Sequence, residues 1–234
     1  MTAFWRAPQL AAAHAFFGAE ANFASAHAQH AEARLDAMQR LATPAPTLFV
    51  AKQVHSNRVL EIEADSEPSA TALIEADALI CGHPGQAVGV LTADCVPVLM
   101  HAPKAGYVAA VHAGRVGALA QILTQTVLAL EAKGACRQSL QLVVGPHIAA
   151  SSYEVGQPMH DGLPTSAQWR AEDGRFCCDL SGLLSAEIGE LGIEPSQVMW
   201  SLEDTLSSPD WHSYRREGVQ AGRNLSAIAV GGAT

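Results

Sequence analysis

The side chains of this sequence best suited to metal or nucleophile chemistry are its ten histidines and five cysteines. The cysteines are Cys81, Cys95, Cys136, Cys177 and Cys178. An odd set of thiols, behind an N-terminus whose apolar stretch is interrupted by Pro8, Gln9 and His14, predicts reduced cysteines in a cytoplasmic setting rather than a disulfide framework. Most histidines have plain readings. His14, His27 and His30 fall in an Ala-rich region and read as surface residues, His83 sits in a Cys-Gly-His-Pro-Gly turn, and His160 in a polar loop. Cys95 and His112 are different. Ala87–Met100 is a nearly unbroken apolar run, and Tyr107–His112 is a second one beyond a turn over His101–Gly106. A hairpin turning between Pro103 and Lys104 sets Cys95 opposite His112 on one face, with Cβ atoms about 5 Å apart. A thiol and an imidazole so placed can share a metal ion or form a thiolate–imidazole pair. The plain alternative is a core cysteine beside a hydrogen-bonded histidine. His55, in a polar segment between two strands, is the candidate third ligand.

These residues need elements to position them. Leu35, Met38 and Leu41 recur at helical spacing, which predicts a helix over Ala24–Leu41 that ends before Pro44. Thr47–Val50 and Val59–Ile62 read as strands flanking Lys52–Arg58, and Ala87–Met100 as a strand covered on both faces. Ser66–Ala70 reads as an exposed turn. From Gly114 onward Leu119, Ile122, Leu123, Val127 and Leu130 mark a helix that Gly134 stops. Leu140–Val144 returns to strand, Ser181–Leu191 to helix, and Leu225–Val230 to strand. Two strand pairs are too closely linked for crossover helices, so an α/β fold with mixed sheets follows. No linker or repeat interrupts residues 1–234, which predicts one domain. The composition, 49% hydrophobic and 16% charged, excludes a disordered chain. A net charge of −9 disfavours a nucleic-acid partner bound through a basic face. The longest apolar runs fall short of a membrane span. Little in the chain requires a protein partner, and a monomer is compatible with it.

Several motifs occur together and in order: Gln53-Val54-His55, Thr92-Ala93-Asp94-Cys95-Val96-Pro97-Val98, Val111-His112-Ala113-Gly114, Tyr153-Glu154-Val155-Gly156, and Ser213-Tyr214-Arg215-Arg216 with Gly222-Arg223. With them the chain resembles the YfiH or laccase-domain family, long labelled multicopper polyphenol oxidases, over residues 50 to 230. The resemblance implies a layered α/β/β/α domain with mixed sheets. It also implies a metal site, usually taken as zinc, with ligands that carry over to His55, Cys95 and His112. Two His and one Cys leave a fourth tetrahedral position for water, as in catalytic zinc sites. The implied substrates are purine nucleosides: phosphorolysis of adenosine, inosine or guanosine, and deamination of adenosine. A cell-wall role, removing misincorporated serine precursors, has also been attached to the family.

Within that frame Asp94 is the candidate proton shuttle for deamination, although strand alternation aims it away from Cys95. Gln53, Arg58 and Arg215 are the candidate substrate-binding residues. Arg115, with Arg223 as a further cation and the amides that open the helix after Gly114, would serve phosphate. Copper-dependent phenol oxidation is the competing reading. Multicopper chemistry wants clustered His-x-His ligands, and the ten histidines here contain no such pair. A metal-free Cys95–His112 dyad of a hydrolase is a further alternative. Three departures from the family stand out. Arg115 and Val116 occupy the usual Trp and Arg positions after His-Ala-Gly. The N-terminal Gly-Gly-Val-Ser loop is missing after Phe16-Phe17-Gly18. His147 follows Gly145-Pro146, where small residues or Cys are common, and reads as a loop imidazole. The metal ligands are kept while the substrate-binding parts are altered, so a weakly active metal-binding paralogue is the alternative to turnover.

Overall fold

Short apolar runs punctuated by Gly, Pro and Asp make the strands of this chain. The computed structural model describes residues 4–231. Its first half runs β1 (Phe4–Trp5), β2 (His14–Phe17), α1 (His30–Leu41), β3 (Thr47–Phe49), β4 (Val59–Ile62), α2 (Pro68–Thr71), β5 (Ala78–Cys81), β6 (Gln86–Thr92), β7 (Val96–Ala102) and β8 (Tyr107–Ala113). The second half runs α3 (Arg115–Leu119), α4 (Ile122–Ala132), β9 (Gln141–Val144), α5 (Gln157–Asp161), β10 (Gln168–Arg170), β11 (Phe176–Cys178), α6 (Leu180–Glu190), β12 (Val198–Trp200), α7 (Tyr214–Glu217) and β13 (Asn224–Ala229).

One sheet has the order β1-β2-β13-β6-β3 and the other β12-β9-β7-β8-β5-β4; β10 and β11 form a separate hairpin. Both large sheets are mixed. β3 runs parallel to β6, and β4–β5 and β9–β12 are parallel pairs within otherwise antiparallel ladders. The sheets pack face to face through Phe16, Val88, Val90 and Ile228 on one side and Leu79, Leu99, Val108 and Val143 on the other. α1 covers the outer face of the five-stranded sheet with Ala37, Met38 and Leu41. α4 and α6 cover the six-stranded sheet, where Ile122, Leu123, Val127, Leu184 and Ile188 meet Val98, Met100, Ala109 and Val111. This is the α/β/β/α stack expected from the motifs. Each wholly buried Leu, Ile or Phe contributes about 1.5–3 kcal/mol through removal of apolar surface from water.

Several expectations need correction. Ala87–Met100 is not one strand but two, β6 and β7, which lie in different sheets. The break falls at Ala93–Cys95, where Asp94 has φ +90°. Apolar neighbours conceal it in the sequence, yet Asp is among the residues that tolerate positive φ. The β7–β8 turn is also centred one residue later than predicted, because Ala102 pairs with Tyr107 and Gly106 takes φ +72°. Pro97, not Cys95, therefore stands opposite His112. Helix α1 begins at His30 rather than Ala24, and the helix predicted after Gly114 is broken at Gln121, φ +61°, into α3 and α4. Gly134, φ +87°, does end α4. The Ser66–Ala70 turn contains the start of α2. His14 is not a surface residue: it is buried in β2, its Nε2 accepts from Ala7 N at 2.9 Å and its Nδ1 donates to Ala12 O at 2.8 Å. His160 is likewise buried, on α5 with its ring 5.0 Å from that of Phe176. Among the described residues no helix is long and apolar enough to cross a membrane.

Candidate metal centre

The centre is organised from below by Asp77, a wholly buried carboxylate at the entry to β5. It accepts hydrogen bonds from the backbone N–H groups of Val54 (3.2 Å), His55 (2.9 Å) and Ser56 (2.7 Å), and from Ser56 Oγ (2.7 Å). A further donor is His112 Nδ1 at 2.8 Å. Burial alone would raise the pKa of Asp77. The hydrogen bonds from His112 and Ser56 outweigh it and hold the carboxyl well below its ordinary range. Three successive amides can converge on one carboxylate because His55 adopts φ +61°. Gln53 pins the same loop from its other end: its side-chain amide donates to Leu91 O and accepts from Leu91 N, both at 2.7 Å.

His112 comes from β8 and is buried, whereas His55 is exposed and Cys95 partly so. With Nδ1 committed to Asp77, His112 has only Nε2 left for the centre. Cys95 Sγ lies 3.7 Å from His55 Nε2, and the rings of His55 and His112 meet edge to face with centroids 4.8 Å apart. The ligand atoms of the three residues all fall within 4.8 Å of one another. The three side chains singled out in the sequence thus converge, but through a register other than the predicted one. Cys95 reaches His112 from the turn that precedes β7, not from a facing position on the strand. Two glycines make the room. A Cβ on Gly114 would lie 2.7 Å from His55 Cδ2 and 3.0 Å from Cys95 Sγ, and one on Gly117 would lie 2.8 Å from Ser56 O.

The electrostatics of the trio are coupled. Burial pushes the Cys95 thiol up, but the facing His112 and the hydrogen bonds from His112 and His55 bring it down to about 6. Burial pushes His112 down, but Cys95 and Asp77 raise it to about 9. Thiolate and imidazolium therefore stabilise each other in the metal-free site, and a divalent cation would take the place of the shared proton.

Above this floor lies a rim that the sequence anticipated only in part. Arg115 opens α3 beside Tyr153, and its Nε is buried with no partner in the protein. Burial raises the Tyr153 phenol, and the Arg115 guanidinium offsets part of that rise. The Arg215 guanidinium lies over the Tyr153 ring, 5.1 Å from its centroid. Asp94 does not face the trio as a free acid. Its carboxylate accepts from Thr205 Oγ1 at 2.7 Å and from the backbone N–H of Arg215 at 2.6 Å. Arg58 is exposed and enters the structure through its backbone carbonyl, which accepts from Asp77 N and Ala78 N. The guanidinium of Arg223 is turned to the carbonyls of Ala221 and Gly222, each at 2.8 Å. Sequence reasoning missed Asp77 and gave Tyr153 no role. Asp77 had one signal, a lone acid between Ala76 and Ala78 at the head of an apolar run.

Comparison with known proteins agrees with this architecture. The chain is 35% identical over 180 residues to a purine nucleoside phosphorylase of Mycobacterium bovis, which covers 75% of this chain and 69% of that one. It is 36% identical over 182 residues to a purine nucleoside phosphorylase of Corynebacterium glutamicum, covering 76% and 72%. Among solved structures, YlmD from Geobacillus stearothermophilus superposes with a TM-score of 0.85 at 20% identity over 98% of this chain and 99% of that one. The hypothetical protein YfiH of Bacillus licheniformis gives 0.81 at 23% identity, covering 93% and 92%. These two likenesses concern the fold. A family profile described as multi-copper polyphenol oxidoreductase laccase matches residues 14–231, and the chain belongs to that family.

Proposed function

We propose that this chain is a zinc-dependent purine nucleoside phosphorylase. The observation that carries the reading is the convergence of His55, Cys95 and His112 on one point, with His112 backed by the buried Asp77. Its context is a set of relatives at 32–36% identity that bear that enzyme name. The donor set suits zinc: tetrahedral zinc with a thiolate and an imidazole places sulfur and nitrogen about 3.5 Å apart, and Cys95 Sγ and His55 Nε2 stand at 3.7 Å. Among the described residues only this one group of three such side chains converges, which is too few ligands for a cluster of several coppers. Bound there, zinc would supply a Lewis acid and an open coordination position.

The surrounding residues divide the remaining work. Arg115 and Arg215 flank Tyr153 and bring two positive charges to the rim, where a phosphate dianion is to be held. Arg115 thus restores a guanidinium to a segment whose usual arginine position is Val116. Asp94 acts as a positioning residue. It fixes the backbone of Arg215 and links α7 to the turn that carries Cys95. This engagement leaves it poorly placed to shuttle protons, so phosphorolysis is favoured over adenosine deamination. Gln53 holds the His55 loop rather than substrate, and Arg58 contributes through its backbone.

Elemental analysis of the purified chain, paired with phosphate-dependent release of hypoxanthine from inosine, tests the reading. One zinc per chain and turnover that disappears with the metal in Cys95→Ala are expected. Turnover that persists in metal-free protein would sink the mechanism. Phenol oxidation with stoichiometric copper would move the function to the competing class.

A further inference from the structure

A second buried histidine is carried on other elements than the proposed metal ligands. His147, in the loop after β9, is buried. Its Nδ1 is 2.7 Å from Gly145 O, and its Nε2 is 2.7 Å from Ser181 Oγ, at the second position of α6. A carbonyl oxygen can only accept, so Nδ1 carries the proton and the neutral ring presents a lone pair at Nε2. The Ser181 hydroxyl therefore donates to Nε2, which is the arrangement a general base needs toward a serine nucleophile. The ring is held rigidly. The His147 N–H donates to Glu203 O at 3.4 Å and its carbonyl accepts from Thr205 N at 3.1 Å, so the backbone is strapped on both sides. Ser181 is not sealed in. It is half-buried and borders an open surface depression with Gly182, Ser185 and Trp200.

We propose that Ser181 and His147 form a nucleophile–base pair that hydrolyses small carboxylic esters at this depression. Ser181 Oγ attacks the ester carbonyl and its proton passes to His147 Nε2. The C–O bond to the alcohol breaks, and the alkoxide takes that proton and leaves, giving an acyl-serine. Water then attacks the acyl carbon and gives its proton to His147. The acid departs, and the proton returns to Ser181 Oγ. The overall change is ester plus water to acid plus alcohol, with no other reactant. Ser181 stands at the positive end of α6, which would favour a developing oxyanion. Asp179 already occupies one amide of that turn, accepting from Gly182 N at 2.9 Å. Electrostatic help is therefore partial, and acylation is the step to measure. Trp200 offers the depression's one aromatic wall, which suits a short acyl chain.

The intact chain is treated with an alkyl fluorophosphonate and separately with p-nitrophenyl acetate, and adducts are located by mass spectrometry. One adduct per chain on Ser181 is expected. It should vanish in Ser181→Ala, persist in Ser185→Ala, and form at least about 100-fold more slowly in His147→Asn, the usual scale of a general base. Zinc content should be unchanged in Ser181→Ala. The unaltered chain gives a reading that does not depend on the folding of variants. Burial lowers the pKa of His147, while Asp179 and Asp204, the charged groups that face its ring, pull the other way. The labelling rate should then rise with pH and level off with a midpoint below 6.5. An absent adduct, an adduct on another residue, an unchanged rate in His147→Asn or a rate flat from pH 4.5 to 8 would each overturn the proposal.

Discussion

His112 and His147 are both buried imidazoles with Nδ1 satisfied and Nε2 aimed at a nucleophilic atom, yet the protein gives them opposite charge preferences. His112 sits on the Asp77 carboxylate and beside Cys95, and its pKa is raised to about 9 despite burial. His147 sits on the Gly145 carbonyl, and burial prevails and lowers its pKa. The partner behind the ring thus decides its role. A carboxylate makes an imidazole that, with its thiolate, suits exchange of a proton for a metal; a neutral carbonyl makes one that stays uncharged as a base.

The sharpest way to break this contrast is Asp77→Ala. It strips the partner from buried His112 and the acceptor from three loop amides. A loss of about 3–5 kcal/mol is expected from disrupting a buried charged pair, and denaturant unfolding measures it. Metal affinity, read by chelator competition, should drop by about 10–100-fold. An affinity within twofold of the unaltered chain would show that the carboxylate does not orient the ligand. Next in size is Gly114→Ala, whose Cβ would press on His55 and Cys95. The expected cost is about 1–3 kcal/mol of overpacking, with weaker metal binding than the parent. His147→Asn should cost about 1–2 kcal/mol by unpairing one buried hydrogen bond. Zinc content by elemental analysis should stay unchanged, because His147 lies outside the ligand set.

The smallest effects are pH-dependent. His147 has a folded pKa below the ordinary 6.5, so the unfolded chain binds more protons there. Its contribution is complete above pH 6.5 and is lost as the pH falls from there through the lower folded pKa. The His147→Asn variant should then lose less stability between pH 7 and 5 than the unaltered chain, as measured by urea midpoints. At the other site the metal-free thiol has a pKa of about 6. Iodoacetamide should modify Cys95 with a midpoint near that pH after chelation, and slowly when zinc is bound. Equal rates with and without chelator would point to a metal-free nucleophile–base dyad instead.

Local patterns made much of the scaffold legible. The helical spacing of Leu35, Met38 and Leu41 located α1, and Ile122, Leu123, Val127 and Leu130 located α4, since a one-sided apolar stripe needs only short-range information. Strand identity within Ala87–Met100 was not legible. Both β6 and β7 are buried on two faces, so apolar content stays high across the turn that divides them. The same blindness produced the wrong register for Cys95. His14 reads as a surface residue because the Ala-rich composition around it does not reveal its buried strand, and the polar sequence around His160 does not reveal its packing on Phe176.

The sequence by itself determined the α/β class, the three longest helices and about half of the strands, and singled out His55, Cys95 and His112. Only the tertiary structure decided how they meet. Sequence carries side-chain type and local period, but three atoms within 4.8 Å depend on a positive φ at Asp94 and at His55, and on a buried carboxylate 22 residues beyond that loop. It also decided that Asp94 braces Arg215 and that His147 faces Ser181. Those contacts join residues 121 and 34 positions apart, and no local propensity encodes them.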